Sequence, residues 1–323
     1  MSHTSCAMPG GVHMHDVDTD HLVMTMHNSS NSWYSSFSTA DFSVCSYKYY
    51  IFSSNARMPV QRRKLVIAAW KTYLDLAAAE KLAGVIRDWA ARRTPDFDLV
   101  IAPSFPHIIP VRRIAGHALG ISAQNADLAG RGAYTGMTPP SLLSDAGCGY
   151  VMLGHSETRK YRGETDLLLR KKILAICEES DLRVILCIGE SRSQRDAGMT
   201  THILESQLTE CLSDIPHDMI SGRLDVAYEP LWAISSEAPV SPPDPRDVGE
   251  IHGKIRAHLE GMLGAAVSDR IRILYGGSVD ASNVSDYMSR DMVDGVLVGS
   301  ASTKLAGVTL LLDAVHDAVQ DIR

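Results

Sequence analysis

The chain has 323 residues, of which 45% are apolar, and a formal net charge of -7 at pH 7. It is long enough to bury a large core, in one barrel or in two ordinary domains. The charge provides no basic field, and no apolar run approaches the roughly 18 residues that cross a bilayer, so we expect neither nucleic acid nor membrane as a partner. The six cysteines lack CxxC spacing, which favours free thiols and a cytoplasmic location.

The N-terminal segment, residues 1–57, differs in composition from the rest of the chain. It is rich in Ser, Thr, Asn, His and Tyr, and its only basic residues are Lys48 and Arg57. Because it has no clear amphipathic period, we expect little order there. It also lacks the apolar stretch of a secretion signal and the arginines of a transit peptide. Met58 directly precedes the first structured signal, so an over-extended start competes with a functional extension as its explanation.

From residue 64 onward, short β-rich apolar runs alternate with segments of helical period, the pattern of βα units. The eight runs begin at Lys64, Asp98, Ile121, Tyr150, Arg183, Leu224, Ile271 and Gly295. Helix candidates between them are Leu76 to Ala91, Asp166 to Glu179, Thr201 to Leu212, Arg246 to Leu263 and Leu305 to Val319. This alternation predicts an α/β fold, a (β/α)8 TIM barrel formed by residues 58–323. A doubly wound sheet would require a glycine-rich turn after the first strand, where the chain instead has Ala69, Trp70 and Lys71.

Polar residues at the ends of the predicted strands are the first candidates for a site, because active sites of such barrels lie there. Glu229 ends the sixth strand and is followed by Pro230 and an apolar loop that resembles a lid. A carboxylate covered by apolar side chains is a stronger base, since desolvation disfavours its charged form. A strand-end glutamate paired with a surface cation is the structural alternative.

Two other strand ends carry candidate side chains. His155 ends the fourth strand and is followed by Ser156, a candidate N-cap, and Glu157, a first-turn acid. The positive end of such a turn favours a neutral imidazole. Lys71 follows the first strand, where a cation can hold a negatively charged substrate. Considered alone, each residue also fits a structural or surface role.

Glycine-rich turns follow the seventh and eighth strands, at Tyr275 to Ser278 and at Gly299 and Ser300. They present backbone N–H groups where phosphate binds in these barrels, and glycine permits close approach. The alternative is a pair of tight turns that require glycine for geometry alone.

Taken together, the chain resembles the triosephosphate isomerase family from about Lys64 to Val319. Seven motifs occur in the family's order and near its spacing: AQN from Ala123, GAYTG from Gly132, LGHSETR from Leu153, CIGE from Cys187, AYEPLWAI from Ala227, YGGSV from Tyr275 and DGVLVGSAS from Asp294. Any one motif is a weak signal, whereas seven in register are specific.

The resemblance implies roles for the matching positions. Glu229 would be the base, His155 the neutral electrophile, Glu157 its acidic neighbour and Lys71 the cation at the substrate oxygens, a glutamate–histidine arrangement established for this family. Further implied roles are phosphate binding by N–H groups of Ser235, Ser278, Gly299 and Ser300, a lid latch of Tyr275 and Ser278, and a homodimer in which Thr135 enters the partner's site. The substrate would be a small phosphorylated sugar, and no cofactor and no metal are implied.

The chain departs from the family pattern at several of these places. Ala69 replaces the asparagine before the Trp-Lys pair, the second lid hinge has the sequence SSEA from Ser235, and Ser300 replaces a glycine. Met137 and Thr158 replace an interface Glu and Arg; losing both leaves no orphan charge.

Three functions follow as hypotheses. The first is interconversion of glyceraldehyde 3-phosphate and dihydroxyacetone phosphate through an enediolate. The second, suggested by Ala69 and the altered hinge, is isomerisation of a related sugar phosphate such as a tetrulose phosphate. The third is a catalytically inactive barrel that serves as a binding protein, against which Lys71, His155 and Glu229 argue.

Overall fold

The structure is a computed structural model that describes residues 21–28, 31–38, 62–128, 130–234 and 242–322. The chain divides into two compact units, Met1–Met58 and Pro59–Arg323. In the first unit, β1 (His21–Asn28) pairs antiparallel with β2 (Asn31–Ser38). The sequence did not predict this pair, although the alternation of Leu22, Met24 and Met26 is the signal that could have found β1. The rest of the predicted low-order extension lies outside the described residues.

The second unit is built around a closed barrel of eight parallel strands. They are β3 (Leu65–Ala69), β4 (Asp98–Ala102), β5 (Gly120–Ala123), β6 (Tyr150–Leu153), β7 (Arg183–Ile188), β8 (Leu224–Tyr228), β9 (Ile273–Tyr275) and β10 (Gly295–Val298). Each strand pairs with the next in chain order, and β10 closes the barrel on β3, with Gly295 opposite Leu65. A Cβ at position 295 would lie 1.9 Å from the Leu65 carbonyl oxygen, so only glycine fits at this closure. The predicted (β/α)8 barrel is confirmed.

Helices cover the outside of the barrel. They are α1 (Leu76–Arg93), α2 (Ile108–Ala115), α3 (Pro140–Asp145), α4 (Ser156–Arg162), α5 (Asp166–Glu179), α6 (Arg192–Asp196), α7 (Thr200–Leu212), α8 (His217–Ile220), α9 (Pro245–Leu263), α10 (Ala265–Ser268), α11 (Val284–Met288) and α12 (Leu305–Asp321). The five predicted helices are present, and their ends agree to within two residues. The helices that were not predicted are short, so they show too few turns for a periodic pattern. Among the described residues, no helix is both long and apolar enough to cross a membrane.

The core has two layers because successive side chains of a strand point to opposite faces. Along β3, Leu65, Ile67 and Ala69 pack inside the barrel with residues such as Met152. Val66 and Ala68 point outward and join the larger core between strands and helices. This arrangement leaves the polar strand-end residues at the two mouths of the barrel.

Ion pairs close the N-terminal mouth. Asp225, at the start of β8, is fully buried and accepts hydrogen bonds from Arg183 Nη2 at 2.7 Å and from Arg272 Nη2 at 2.9 Å. Arg272 also reaches Asp98 of β4 at 2.6 Å. Burial by itself would raise the pKa of Asp225, but the hydrogen bonds and charges of the two arginines outweigh it and hold that pKa below its ordinary value. This cluster links four strands or strand ends around the mouth.

Candidate active site

The C-terminal mouth brings together the strand-end residues that the sequence singled out. Lys71 follows β3, His155 follows β6 and Glu229 follows β8, and the glycine-rich turns follow β9 and β10. Their sequence separations are large, so the closed barrel is what makes them neighbours.

Lys71 occupies a strained backbone position. Its φ of 50° lies in the left-handed region, which costs a non-glycine residue about 1–3 kcal/mol. Its carbonyl oxygen accepts hydrogen bonds from Ser104 Oγ at 3.0 Å and Gln124 Nε2 at 2.7 Å, which hold this conformation. Its ammonium lies 2.7 Å from Glu157 Oε1, so the two predicted site residues form an ion pair.

His155, and not Ser156 as predicted, is the N-cap of α4. Gly154, with a φ of 68°, turns the chain one residue earlier than the sequence pattern suggested. The backbone N–H of Glu157 donates to His155 Nδ1 over 3.2 Å. A ring nitrogen that accepts a hydrogen bond carries no proton, so this contact assigns the imidazole proton to Nε2 and makes the ring neutral.

Glu229 is nearly enclosed, with 2% of its surface exposed. Its Oε2 accepts a hydrogen bond from the backbone N–H of Ser156 at 3.1 Å. Its Oε1 lies 3.5 Å from His155 Nε2 and has no hydrogen-bond partner among the described residues.

Two neighbours of Glu229 reflect how closely it is packed. Burial and the nearby Glu229 carboxylate raise the pKa of Cys187 well above its usual value. A Cβ at Gly189 would lie 1.8 Å from the Glu229 carbonyl oxygen, so glycine is required there.

The turn after Glu229 is fixed by Glu190, a residue to which the sequence assigned no role. Glu190 Oε1 accepts hydrogen bonds from the indole N–H of Trp232 at 2.9 Å and the hydroxyl of Tyr228 at 3.1 Å. Two guanidinium groups also lie over the Trp232 ring, with Arg192 Cζ at 4.8 Å and Arg195 Cζ at 4.4 Å from its centroid. Glu190 lies in the CIGE motif and Gln124 in the AQN motif, which are the signals that could have identified them.

The predicted phosphate-binding turns border a cavity of about 410 Å³, lined by Ser278, Gly299, Ser300 and Lys304 among others. The backbone N–H of Ser278 is engaged, since it donates to the Ala233 carbonyl at 2.9 Å. The family resemblance implies that this N–H binds phosphate; in the structure it links the β9 turn to the segment after Glu229. Ser235 and the rest of the predicted hinge lie outside the described residues.

Tyr275, the predicted latch residue, is fully buried at the end of β9. A Cβ at Gly277 would lie 2.2 Å from its hydroxyl, so the hydroxyl lies directly against the glycine turn. Burial raises the pKa of Tyr275, and the adjacent Tyr287 raises it further, so this hydroxyl stays protonated.

A second cavity of about 520 Å³ is lined by Lys71, His155 and Glu157, with Ala69 and Met152 as its apolar floor. A Cβ at Gly299 would lie 3.7 Å from Lys71 Cε, so Lys71 adjoins both this cavity and the phosphate-side turn. Glu229 lies behind His155 and lines neither of these cavities in the described part of the chain.

Thr135, the predicted dimer contact, is exposed in the segment after β5, as is Met137. Thr158 instead bonds within its own helix start, donating to the His155 carbonyl at 2.9 Å. Within the described ranges, no group of three or more His, Cys, Asp or Glu side chains has the arrangement of a metal site.

The chain matches known proteins over this same region. The family model described as triosephosphate isomerase matches residues 64–315. A triosephosphate isomerase of Magnetococcus marinus is 38% identical over 79% of this chain and 99% of its own length. Those of Nitratidesulfovibrio vulgaris and Aquifex aeolicus are 39% and 35% identical, each over 74% of this chain and over 95% and 94% of their own lengths. The chain therefore belongs to the triosephosphate isomerase family.

Proposed function

We propose that residues 58–323 form an isomerase that interconverts glyceraldehyde 3-phosphate and dihydroxyacetone phosphate, a step of glycolysis and gluconeogenesis. The observation that carries this proposal is the 3.5 Å approach of Glu229 Oε1 to His155 Nε2. A buried carboxylate with an unpaired oxygen stands beside a neutral imidazole that carries a proton on the facing nitrogen. A base and a hydrogen-bond donor so placed suit proton transfer between adjacent carbons.

In the proposed reaction, Glu229 removes a proton from the carbon next to the carbonyl. The N–H of His155 Nε2 donates to the oxygen on which negative charge develops, which stabilises an enediolate. The substrate's hydroxyl proton then passes to the other oxygen by way of His155 Nε2, and Glu229, now protonated, returns its proton to the neighbouring carbon, so that carbonyl and hydroxyl exchange places. Lys71, held by Glu157, adds a positive charge near the substrate oxygens. Because one group both removes and returns the proton, the reaction requires no cofactor.

The substrate phosphate is proposed to bind at the N–H groups of Ser278, Gly299 and Ser300, together with Ser235. Ser278 has to exchange the Ala233 carbonyl for phosphate oxygen, so phosphate binding and the position of the segment after Glu229 are coupled in this proposal. Tyr275 and Ser278 would then hold that segment over the bound substrate.

The active form is proposed to be a homodimer in the cytoplasm. Large apolar side chains are exposed in the segments after β3 to β6, which lie side by side at one mouth of the barrel; they include Tyr73, Ile109, Tyr134, Met137, Leu142 and Tyr161. The thiols of Cys148, Cys177, Cys187 and Cys211 are free, which suits a reducing compartment. Sedimentation that finds a fully active monomer would contradict the dimer.

One observation favours a second substrate. Ala69 stands where the family resemblance implies an asparagine, and with Met152 it makes the floor of the larger cavity apolar, while Gln124 and Asn125 supply side-chain amides elsewhere in the lining. A longer sugar phosphate, such as a tetrulose phosphate, is therefore the competing candidate.

Steady-state kinetics on sugar phosphates of three to five carbons tests both. We expect the highest kcat/KM for the two triose phosphates, in both directions. A far higher kcat/KM for a tetrulose phosphate would assign the chain to the second reaction. Tight binding without turnover of any of these compounds would instead support an inactive, ligand-binding barrel.

A further inference from the structure

We infer that Tyr287 is a positioning residue for this site, an inference that rests on the proposed function. Its side chain contacts two separate parts of the molecule. One is Tyr275, and the other is Pro243, where the chain approaches the start of α9.

The first contact is a buried hydrogen bond. Tyr287 lies on α11, has 1% of its surface exposed, and donates from its hydroxyl to the Pro243 carbonyl oxygen at 2.8 Å. Pro243 is buried and directly precedes Asp244, whose side chain caps α9 by accepting the N–H of Arg246. Tyr287 thereby sets the position of the chain immediately before this helix.

The second contact is a ring stack. The centroids of the Tyr287 and Tyr275 rings are 4.3 Å apart, with an angle of 32° between the rings. Tyr275 in turn contacts the glycine turn, because its hydroxyl lies against Gly277. A shift of the Tyr287 ring would therefore be transmitted through Tyr275 to Gly277 and Ser278.

The same turn contacts both halves of the site. A Cβ at Gly276 would lie 2.8 Å from Glu229 Cγ, and Ser278 borders the phosphate-side cavity. Helix α11 also holds this turn at its other end, since Asn283 Nδ2 donates to the Ser278 carbonyl at 3.2 Å. Asn283 is the N-cap of α11, so the turn is linked to this helix there and, through Tyr275, at Tyr287, which also bonds to Pro243.

The two tyrosine hydroxyls have different roles. Burial raises the pKa of both groups, so both are neutral donors at physiological pH. The Tyr287 hydroxyl is committed to Pro243, whereas the Tyr275 hydroxyl has no hydrogen bond of normal geometry among the described residues. Buried tyrosines usually find a partner for the hydroxyl. While it donates to Pro243, the Tyr287 oxygen keeps its lone pairs and remains able to accept a hydrogen bond from Tyr275.

Tyr287→Phe tests this role, because it retains the ring stack and removes the hydroxyl that bonds to Pro243. We expect a roughly 5-fold rise in KM for triose phosphate, since one hydrogen bond near a buried carbonyl is lost, with kcat within about twofold of the original protein. The dissociation constant for inorganic phosphate, measured by calorimetry, should rise by a similar factor. Ser285→Ala is the matched control: it removes a hydroxyl from the same helix whose bond goes outward to Ala314.

Unchanged KM and phosphate affinity in Tyr287→Phe, with or without a lower melting temperature, would reduce Tyr287 to a packing residue. An equal effect of Ser285→Ala would also overturn the inference. The phosphate measurement does not depend on turnover. A protein that binds phosphate but does not isomerise trioses would therefore refute the proposed reaction while leaving the role of Tyr287 to be decided by the binding data.

Discussion

A buried carboxylate lies near each end of strand β8, one at each mouth of the barrel, and the two carboxylates have opposite hydrogen-bond surroundings. Asp225 is fully enclosed, and both its oxygens accept hydrogen bonds from arginines. Glu229, four residues later, is almost as buried, but one of its oxygens has no partner among the described residues. A buried charge with all its partners contributes to a unique, rigid structure, whereas an incompletely bonded one retains the capacity to accept a proton.

The two carboxylates also differ in the backbone strain of the residues near them. The arginines that bond to Asp225 have ordinary backbone conformations, and Asp225 lies at the mouth that serves stability in such barrels. Glu229 faces a neutral histidine, and nearby Lys71 adopts a strained left-handed conformation. Strain and unsatisfied groups concentrate where chemistry occurs because the surrounding structure can hold them there. The comparison predicts that the two carboxylates control different measurable quantities.

The largest expected effect is on catalysis, at Glu229. Glu229→Gln removes the base but keeps the shape, and the amide oxygen can still accept the Ser156 N–H. We expect kcat to fall by about 10²–10⁴-fold, the usual contribution of a general base, with the free energy of unfolding nearly unchanged. Steady-state kinetics and urea unfolding measure the two quantities. Unchanged turnover would mean that the base is another residue.

The second effect is on stability, at Asp225. Asp225→Asn leaves the charges of Arg183 and Arg272 without their shared partner, so we expect the free energy of unfolding to fall by about 3–5 kcal/mol, with kcat within about twofold when measured where the variant is folded. Asp88→Asn is the control, because Asp88 pairs with Arg87 at the exposed surface. A large loss of kcat in folded Asp225→Asn would break the division between the two mouths.

The smallest effect concerns a buried group outside the site, His252, whose Nε2 has no hydrogen-bond partner among the described residues. His252 is fully buried on α9, its Nδ1 lies 3.1 Å from the Met292 carbonyl oxygen, and burial lowers its pKa to about 3. As the pH falls below about 6.5, His252 becomes protonated in the unfolded chain, whereas in the folded protein it stays neutral until about pH 3. The free energy of unfolding should therefore decrease through this window, by about 2 kcal/mol between pH 6.5 and pH 5.

His252→Gln removes this titration, so the variant should lose about 2 kcal/mol less than the original protein over the same interval. Urea unfolding at both pH values measures the difference, and carboxylates that titrate in acid contribute equally to both proteins. Equal losses would show that His252 is not the source. Unchanged kcat in the variant would confirm that an unpaired buried atom is by itself no sign of catalysis.

Much of the fold could be predicted from the sequence because its signals are local. The unbroken apolar run from Leu65 to Ala69 requires only neighbouring residues, and it identified a strand whose two faces are both buried. The end of each apolar run likewise placed Lys71, His155 and Glu229 at strand ends. Short elements such as α11 escaped prediction because one turn of helix leaves no period to detect.

The contacts that make a site from these residues were decided by the tertiary structure. Whether Glu229 meets an arginine, as Asp225 does, or a histidine depends on which strand ends the closed barrel places beside it. The direction of the Ser278 N–H and the identity of the α4 cap depend on backbone turns that the residue pattern does not encode. Tyr287 and Pro243 are 44 positions apart, so their bond leaves no local signal. Sequence periodicity determined which residues reach the mouth of the barrel, and barrel closure determined which of their polar atoms found partners and which remained available.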